Sequence, residues 1–368
     1  MSKSNKNKSS KSIKYSKNTS SKNTSSKNNK SNKNTSSKNN KSNKNTSSSY
    51  SPTINQELIT LKSVSRNELL DCNIEDAFNL KEPLQIGIPE TTKCYLYSSS
   101  EAIQFLLKNL SANKHINPNE IITPIQIDSN CWFNAFFVTF FVSDKGRKFF
   151  HFLRQLMIEG KQVDGTLIPS KLWDAFALLN FGIEACLTGN EYAYELNTNN
   201  IIHKIYKGIP KSYSITDVHE AGNPLMYYNT IINYLHANTS IQMRFISGAN
   251  TKWNEKLTDD LPHIIVLEIY DNHTQFNDHK SLSFNINNAK YQLDSAVIRD
   301  TTEQHFCATI TCNKKEMGYD GMSFHRLVPL KWKQLLNKDA NWSFKDTGAD
   351  LVWNFTKCYQ LLMYYRIK

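Results

Sequence analysis

The chain has 368 residues, 39% of them hydrophobic and 21% charged, with a formal net charge of +11. That length allows one large domain or two modest ones, and no apolar run approaches the ~18 residues of a membrane-spanning helix. With a polar N-terminus, no cleavable export signal is expected. The charge is unevenly placed. Residues 1–50 hold thirteen lysines and no acidic residue, so the remainder carries −2, the difference between +11 and +13. Basicity therefore belongs to the first fifty residues, and the rest of the chain offers no basic groove for nucleic acid. Seven cysteines (72, 94, 131, 186, 307, 312 and 358) are scattered with no C-x-x-C pair. The spacing suggests neither a disulfide framework nor a zinc site. The expected setting is a reducing, intracellular one: cytoplasm, nucleus or, for a viral chain, the virion. No cofactor or membrane partner is expected.

Residues 1–52 are almost wholly Ser, Asn and Lys, and an eleven-residue unit beginning Asn-Thr-Ser-Ser-Lys repeats from Asn23 and from Asn34. With nothing apolar to bury, the segment cannot offset its ordering entropy and is expected to be disordered. It reads either as an electrostatic arm or as a low-complexity expansion of Lys and Asn codons. Dispersed lysines without arginine or aromatic partners favour the expansion. Residues 53–119 read as an N-terminal extension of unknown role, with an amphipathic helix over 99–110.

The helical signal strengthens from residue 120. Phe133, Phe136, Phe137, Phe140 and Phe141 fall on one helical face directly behind Cys131, and Ser129 or Asn130 would cap the helix. Further helices are expected over 146–159, 171–185 and 223–235. From about residue 245 the pattern turns to strands. Residues 261–270 form a nearly continuous β-branched run, 291–298 alternates, 305–310 resumes after a polar loop as the second arm of a hairpin, and 359–366 closes the series. A helical half followed by a sheet half is an α+β arrangement with a cleft between them.

Cys131 at a helix start sits beside unpaired backbone N–H groups and the positive end of the helix dipole, which favours a thiolate. Taken alone it reads equally as a buried core thiol. His305 at a strand start could act as the proton carrier that a thiol hydrolase needs. One histidine among ten is not singled out by spacing.

Four blocks in order resemble the ubiquitin-specific proteases, a family with a papain-like cysteine protease core. They are Asn130-Cys131-Trp132-Phe133-Asn134, then Leu261-Pro262 with its aliphatic run, then Tyr291–Ile298 leading to His305-Phe306-Cys307-Ala308, and finally Tyr364-Tyr365-Arg366. The resemblance spans about residues 120–368. It implies a catalytic domain with a helical thumb and an antiparallel sheet palm. The implied function is thiol-dependent cleavage of ubiquitin or ubiquitin-like conjugates by a monomer. It makes Cys131 the nucleophile, His305 the general base and acid, and Gln126 an oxyanion donor. Asp346, after Trp342-Ser343-Phe344-Lys345, becomes the third triad member, with Asn341 the runner-up. This sequence departs from the family in Gln304 before the histidine, Arg299 in the loop, the missing acidic-glutamine box near residue 223, and an apparent insertion over 314–339. Asp128-Ser129-Asn130-Cys131-Trp132-Phe133 also resembles the box of ovarian-tumour-type thiol proteases. A catalytically inactive module that binds the modifier without cutting it, and a nucleic-acid-binding role for the basic tail, are the readings from other classes.

Overall fold

The computed structural model describes residues 84–88, 91, 93–112, 116–190, 192–218, 224–247, 261–271, 280–302, 304–323, 327–344 and 351–368. All of these fall within one compact unit, Tyr50–Lys368. The expectations for residues 1–52, for most of 53–119 and for Asp346 lie outside the described residues.

A short hairpin, β1 (Gln85–Ile88) and β2 (Lys93–Leu96), precedes helix α1 (Ser100–Ala112). Helices α2 (Cys131–Phe141), α3 (Asp144–Phe149), α4 (His151–Glu159), α5 (Ser170–Thr188), α6 (Tyr192–Glu195), α7 (Thr198–Gly208) and α8 (Pro224–Tyr234) follow. The strands are β3 (Met243–Ser247), β4 (Ile264–Ile269), β5 (Ser283–Ile286), β6 (Ala289–Arg299), β7 (Phe306–Cys312), β8 (Lys315–Tyr319), β9 (Val328–Pro329) and β10 (Gln360–Arg366). They form one eight-stranded sheet in the order β3-β4-β10-β6-β7-β8-β9, with β5 also on β6. The β3–β4 pair is parallel, whereas the other pairs are antiparallel. The molecule is thus a mixed α/β structure, with helices in the first half and a multi-strand sheet in the second.

Both faces of this sheet are covered, which explains the continuous apolar runs in its central strands. One face turns Val266, Val297, Ala308, Ile310, Leu361 and Met363 into the core shared with the helices. The opposite face packs Ile265, Leu267, Ile298 and Leu362 against Trp332, Trp353 and Phe355. Leu84, Ile86, Tyr97, Leu106 and Leu110 join the helical core, so the β1–β2 hairpin and α1 are part of it.

Several expectations need correction. The helix expected over 146–159 is two, broken at Phe150, whose backbone (φ −87°, ψ 3°) leaves the helical region. The Trp342–Phe344 segment, from which the resemblance leads to the third triad member, contributes a single bridge between Trp342 and Trp353, and these side chains roof the back of the sheet. Residues 315–319, read as part of an insertion, form a sheet strand beside β7. Cys94 is disulfide-bonded, against the expectation from cysteine spacing, which does not show which thiols meet in space. The other described cysteines are free. Among the described residues no helix is long and apolar enough to cross a membrane.

Candidate active site

Cys131 is the first residue of α2, a helix whose every residue is buried. Rings decide where that helix lies. Phe133 stacks on Tyr228 at 5.3 Å, Phe140 meets Phe150 at 4.4 Å and Tyr228 at 5.2 Å, and Trp132 meets Tyr227 at 5.4 Å. Offset and edge-on aromatic pairs of this kind add to the burial free energy and fix relative orientation. Asn130 precedes the helix without giving it a side-chain cap. Its amide serves another purpose: Oδ1 accepts from the Ile127 N–H at 3.0 Å, and Nδ2 donates to the Thr198 hydroxyl at 2.9 Å. The same hydroxyl donates to Asn134 Oδ1 at 2.7 Å. Asn134 Nδ2 donates to the Ile125 carbonyl at 3.1 Å, and Asn199 Nδ2 to the Ile127 carbonyl at 3.0 Å. The loop leading to the cysteine is therefore held by amides of α2 and by the first turn of α7. Asp128 within that loop adopts a left-handed backbone, φ 54°, a conformation that short polar side chains tolerate best among non-glycine residues.

His305 lies immediately before β7, where the β6–β7 connection ends. Its Nε2 is 2.6 Å from Asp320 Oδ1, and both side chains are buried. Nδ1 is also buried, without an aligned hydrogen bond, and the Cys131 thiol is among the groups that act on this ring. Burial by itself would lower the imidazole pKa. The bond to Asp320, the contact with Cys131 and the charges of both outweigh it, and the value is raised to about 9. A histidine with one nitrogen held by a carboxylate and the other facing a thiol is arranged to hold a proton and to pass it.

Asp320 stands at the end of β8, in a turn that its own carboxylate stabilises. Oδ1 also accepts the Met322 N–H at 3.0 Å, and Oδ2 accepts the Ser323 hydroxyl. Gly321 comes next, and it must be glycine: an added Cβ would lie 2.8 Å from the Tyr319 hydroxyl and 3.0 Å from the Gln126 nitrogen. That close approach ties the two sides of the site together. The Gln126 N–H donates to the Gly321 carbonyl at 2.9 Å, and the Tyr319 hydroxyl donates to the Pro124 carbonyl at 2.8 Å. Gln126 is half-buried, and its Nε2 donates to the Asp128 carbonyl at 3.2 Å, which leaves the second amide hydrogen uncommitted.

Cys131, His305 and Gln126 are thus brought to one place, and the carboxylate on His305 is Asp320. Asn341, the runner-up, instead accepts from Asn354 Nδ2 at 2.8 Å. The family pattern points to an acid after Trp342–Phe344 and so does not single out Asp320. A signal existed: Glu316-Met317-Gly318-Tyr319-Asp320-Gly321 is a short strand ending in an Asp-Gly turn. Thr198 had no signal at all. Exposure is slight, 8% at Cys131 and 3% at His305, so only a thin group can reach the thiol. Among the described residues no group of three or more His, Cys, Asp and Glu side chains could hold a metal ion.

No family model matches the sequence, and no curated protein does either. Among solved structures the chain is similar to the SAGA Ubp8/Sgf11/Sus1/Sgf73 DUB module bound to ubiquitin aldehyde. That match has 10% identity and a TM-score of 0.43, covering 76% of this chain and 80% of the other. It is similar to an essential yeast splicing factor at 10% identity and a TM-score of 0.40, covering 77% and 84%. A third is the pseudoubiquitin-hydrolase–RNase module of PAN2 from Saccharomyces cerevisiae, at 10% and 0.42, covering 70% and 54%. These likenesses are distant.

Proposed function

We propose that the protein is a papain-like thiol hydrolase that cleaves ubiquitin or a ubiquitin-like modifier from its conjugates. The observation that carries this reading is the imidazole of His305, held through Nε2 by buried Asp320 and facing the thiol at the start of α2. In the proposed reaction Cys131 Sγ attacks the carbonyl carbon of the modifier's last residue, with its proton on His305. The tetrahedral oxyanion is met by the Cys131 backbone N–H and the spare Gln126 amide hydrogen. His305 protonates the departing amine, and water then hydrolyses the thioester with the imidazole as base. Asp320 keeps the ring's orientation and stabilises the imidazolium.

The slight exposure of Cys131 and His305 supports an acyl group that arrives as an extended end without bulky side chains, as a C-terminal glycine would. The choice of modifier rests on the four sequence blocks, three of which supply β4, β6 with β7, and β10 of one sheet. A binding-only role is the second reading. It is favoured by Gln126 Nε2 turning to Asp128 and by buried His305 Nδ1 having no hydrogen-bond partner.

A ubiquitin propargylamide probe, with its counterparts for other modifiers, separates the two. The wild-type chain is expected to label, and Cys131→Ala is not. Failure of every such probe on the folded wild-type chain would refute the hydrolase.

A further inference from the structure

The β6–β7 connection, which delivers His305, contains no glycine, although it must reverse the chain within a few residues. A buried carboxylate organises it. Asp300 is 1% exposed. Its Oδ1 accepts the His305 N–H at 2.8 Å and the Gln304 N–H at 2.9 Å. Its Oδ2 accepts the Thr302 N–H at 3.0 Å and the Thr302 hydroxyl. In return the Asp300 N–H donates to the His305 carbonyl at 2.8 Å, so the two residues are locked from both sides. The Thr301 N–H donates to the Val352 carbonyl at 2.8 Å, anchoring the loop beside Trp353, whose ring centroid is 6.0 Å from that of His305.

We propose that Asp300 is a positioning residue for the reaction at Cys131, fixing the His305 backbone so that the ring reaches Asp320 with one nitrogen and faces the thiol with the other. The inference rests on reading Cys131 and His305 as the reactive pair. The two carboxylates divide the work: Asp320 holds the ring and Asp300 the main chain that carries it. Four donors occupy the roughly four acceptor sites of the Asp300 carboxylate, so it has none left for substrate. Burial would raise its pKa, yet the hydrogen bonds from Thr302, His305 and Gln304 hold it below the usual carboxylate range. It therefore stays an acceptor for main-chain N–H groups at neutral pH. The groups acting on the imidazole itself are Asp320 and Cys131.

The test compares full-length wild type, Asp300→Ala and Asp300→Asn by NMR titration of the His305 imidazole and by steady-state hydrolysis of a fluorogenic ubiquitin amide. In Asp300→Ala the ring is expected to slip from Asp320, so its pKa falls from about 9 toward the ordinary ~6.5. With the geometry lost, kcat should drop about 10²-fold while KM stays near its wild-type value. Asp300→Asn keeps an oxygen for the His305 and Gln304 N–H groups and should recover much of both properties. If Asp300→Ala does not fold, Thr302→Val, which loses only the hydroxyl bond, should move both readouts in the same direction by less. An unchanged His305 titration in a folded Asp300→Ala protein would overturn the proposal, whatever its melting temperature. Should the wild type hydrolyse no modifier substrate, the proposed function fails, while the imidazole titration still decides the role of Asp300.

Discussion

Around Cys131 the chain is gripped by aromatic rings, whereas around His305 it is gripped by carboxylates. Helix α2 buries all its residues and receives no side-chain cap at Asn130. Its place is set mainly by ring packing, with amide bonds confined to the approaching loop, and this leaves the N–H groups of the first turn available. The histidine region works the other way. Asp300 and Asp320 accept bonds whose directions set the backbone and the ring of a single residue. Packing suits the proposed nucleophile, which needs a location, and hydrogen bonds suit the proposed proton carrier, which needs an angle.

Breaking the aromatic grip should give the largest stability effect. Phe140→Ala opens a cavity among Phe136, Phe150 and Tyr228 and is expected to cost about 3–5 kcal/mol in urea unfolding. The two grips meet at Gln126, whose backbone is bonded to Gly321 beside Asp320. Gln126→Ala should lower kcat by ~10²–10³-fold, with little change in KM, because the proposed oxyanion contact exists only in the transition state. Smaller still is Thr198→Val, which removes the hydroxyl shared by Asn130 and Asn134. Thermal unfolding should register a loss of about 1–3 kcal/mol, the usual cost of stranding buried amide groups.

Much of this organisation was legible in the sequence where one periodicity ran uninterrupted. The Phe133–Phe141 spacing marked α2, and the aliphatic and alternating runs marked β4, β6 and β10, because burial on one or both faces leaves a pattern. The polar grip left no such trace. Residues 315–319 alternate too briefly to announce a strand, and the turn before them uses Asn313 and Lys314 at positive φ rather than an Asn-Gly pair. Without that strand nothing in the sequence places Asp320 beside His305. Helix α7, absent from the sequence expectations, carries an amphipathic face in Ile201, Ile202 and Ile205. Asp300 is indistinguishable in the sequence from the rest of a polar loop, since a side chain that bonds its own loop contributes nothing to hydrophobic periodicity.

The central claim is that His305 works against Asp320, and pH–rate profiles of Asp320→Asn and Asp346→Asn test it most directly. The folded imidazole has a pKa raised to about 9. It is charged in both folded and unfolded states below ~6.5, where its contribution to stability is complete, and that contribution is lost as pH rises through about 9. The same deprotonation removes the proton needed by the leaving amine, so wild-type hydrolysis of a fluorogenic ubiquitin amide should decline on the alkaline side near that value. Asp320→Asn takes away the charge that holds the proton. It should cut kcat by about 10²–10⁴-fold and move the alkaline limb to lower pH, while Asp346→Asn keeps the wild-type profile. A displaced limb in Asp346→Asn beside an unchanged profile in Asp320→Asn would contradict the account.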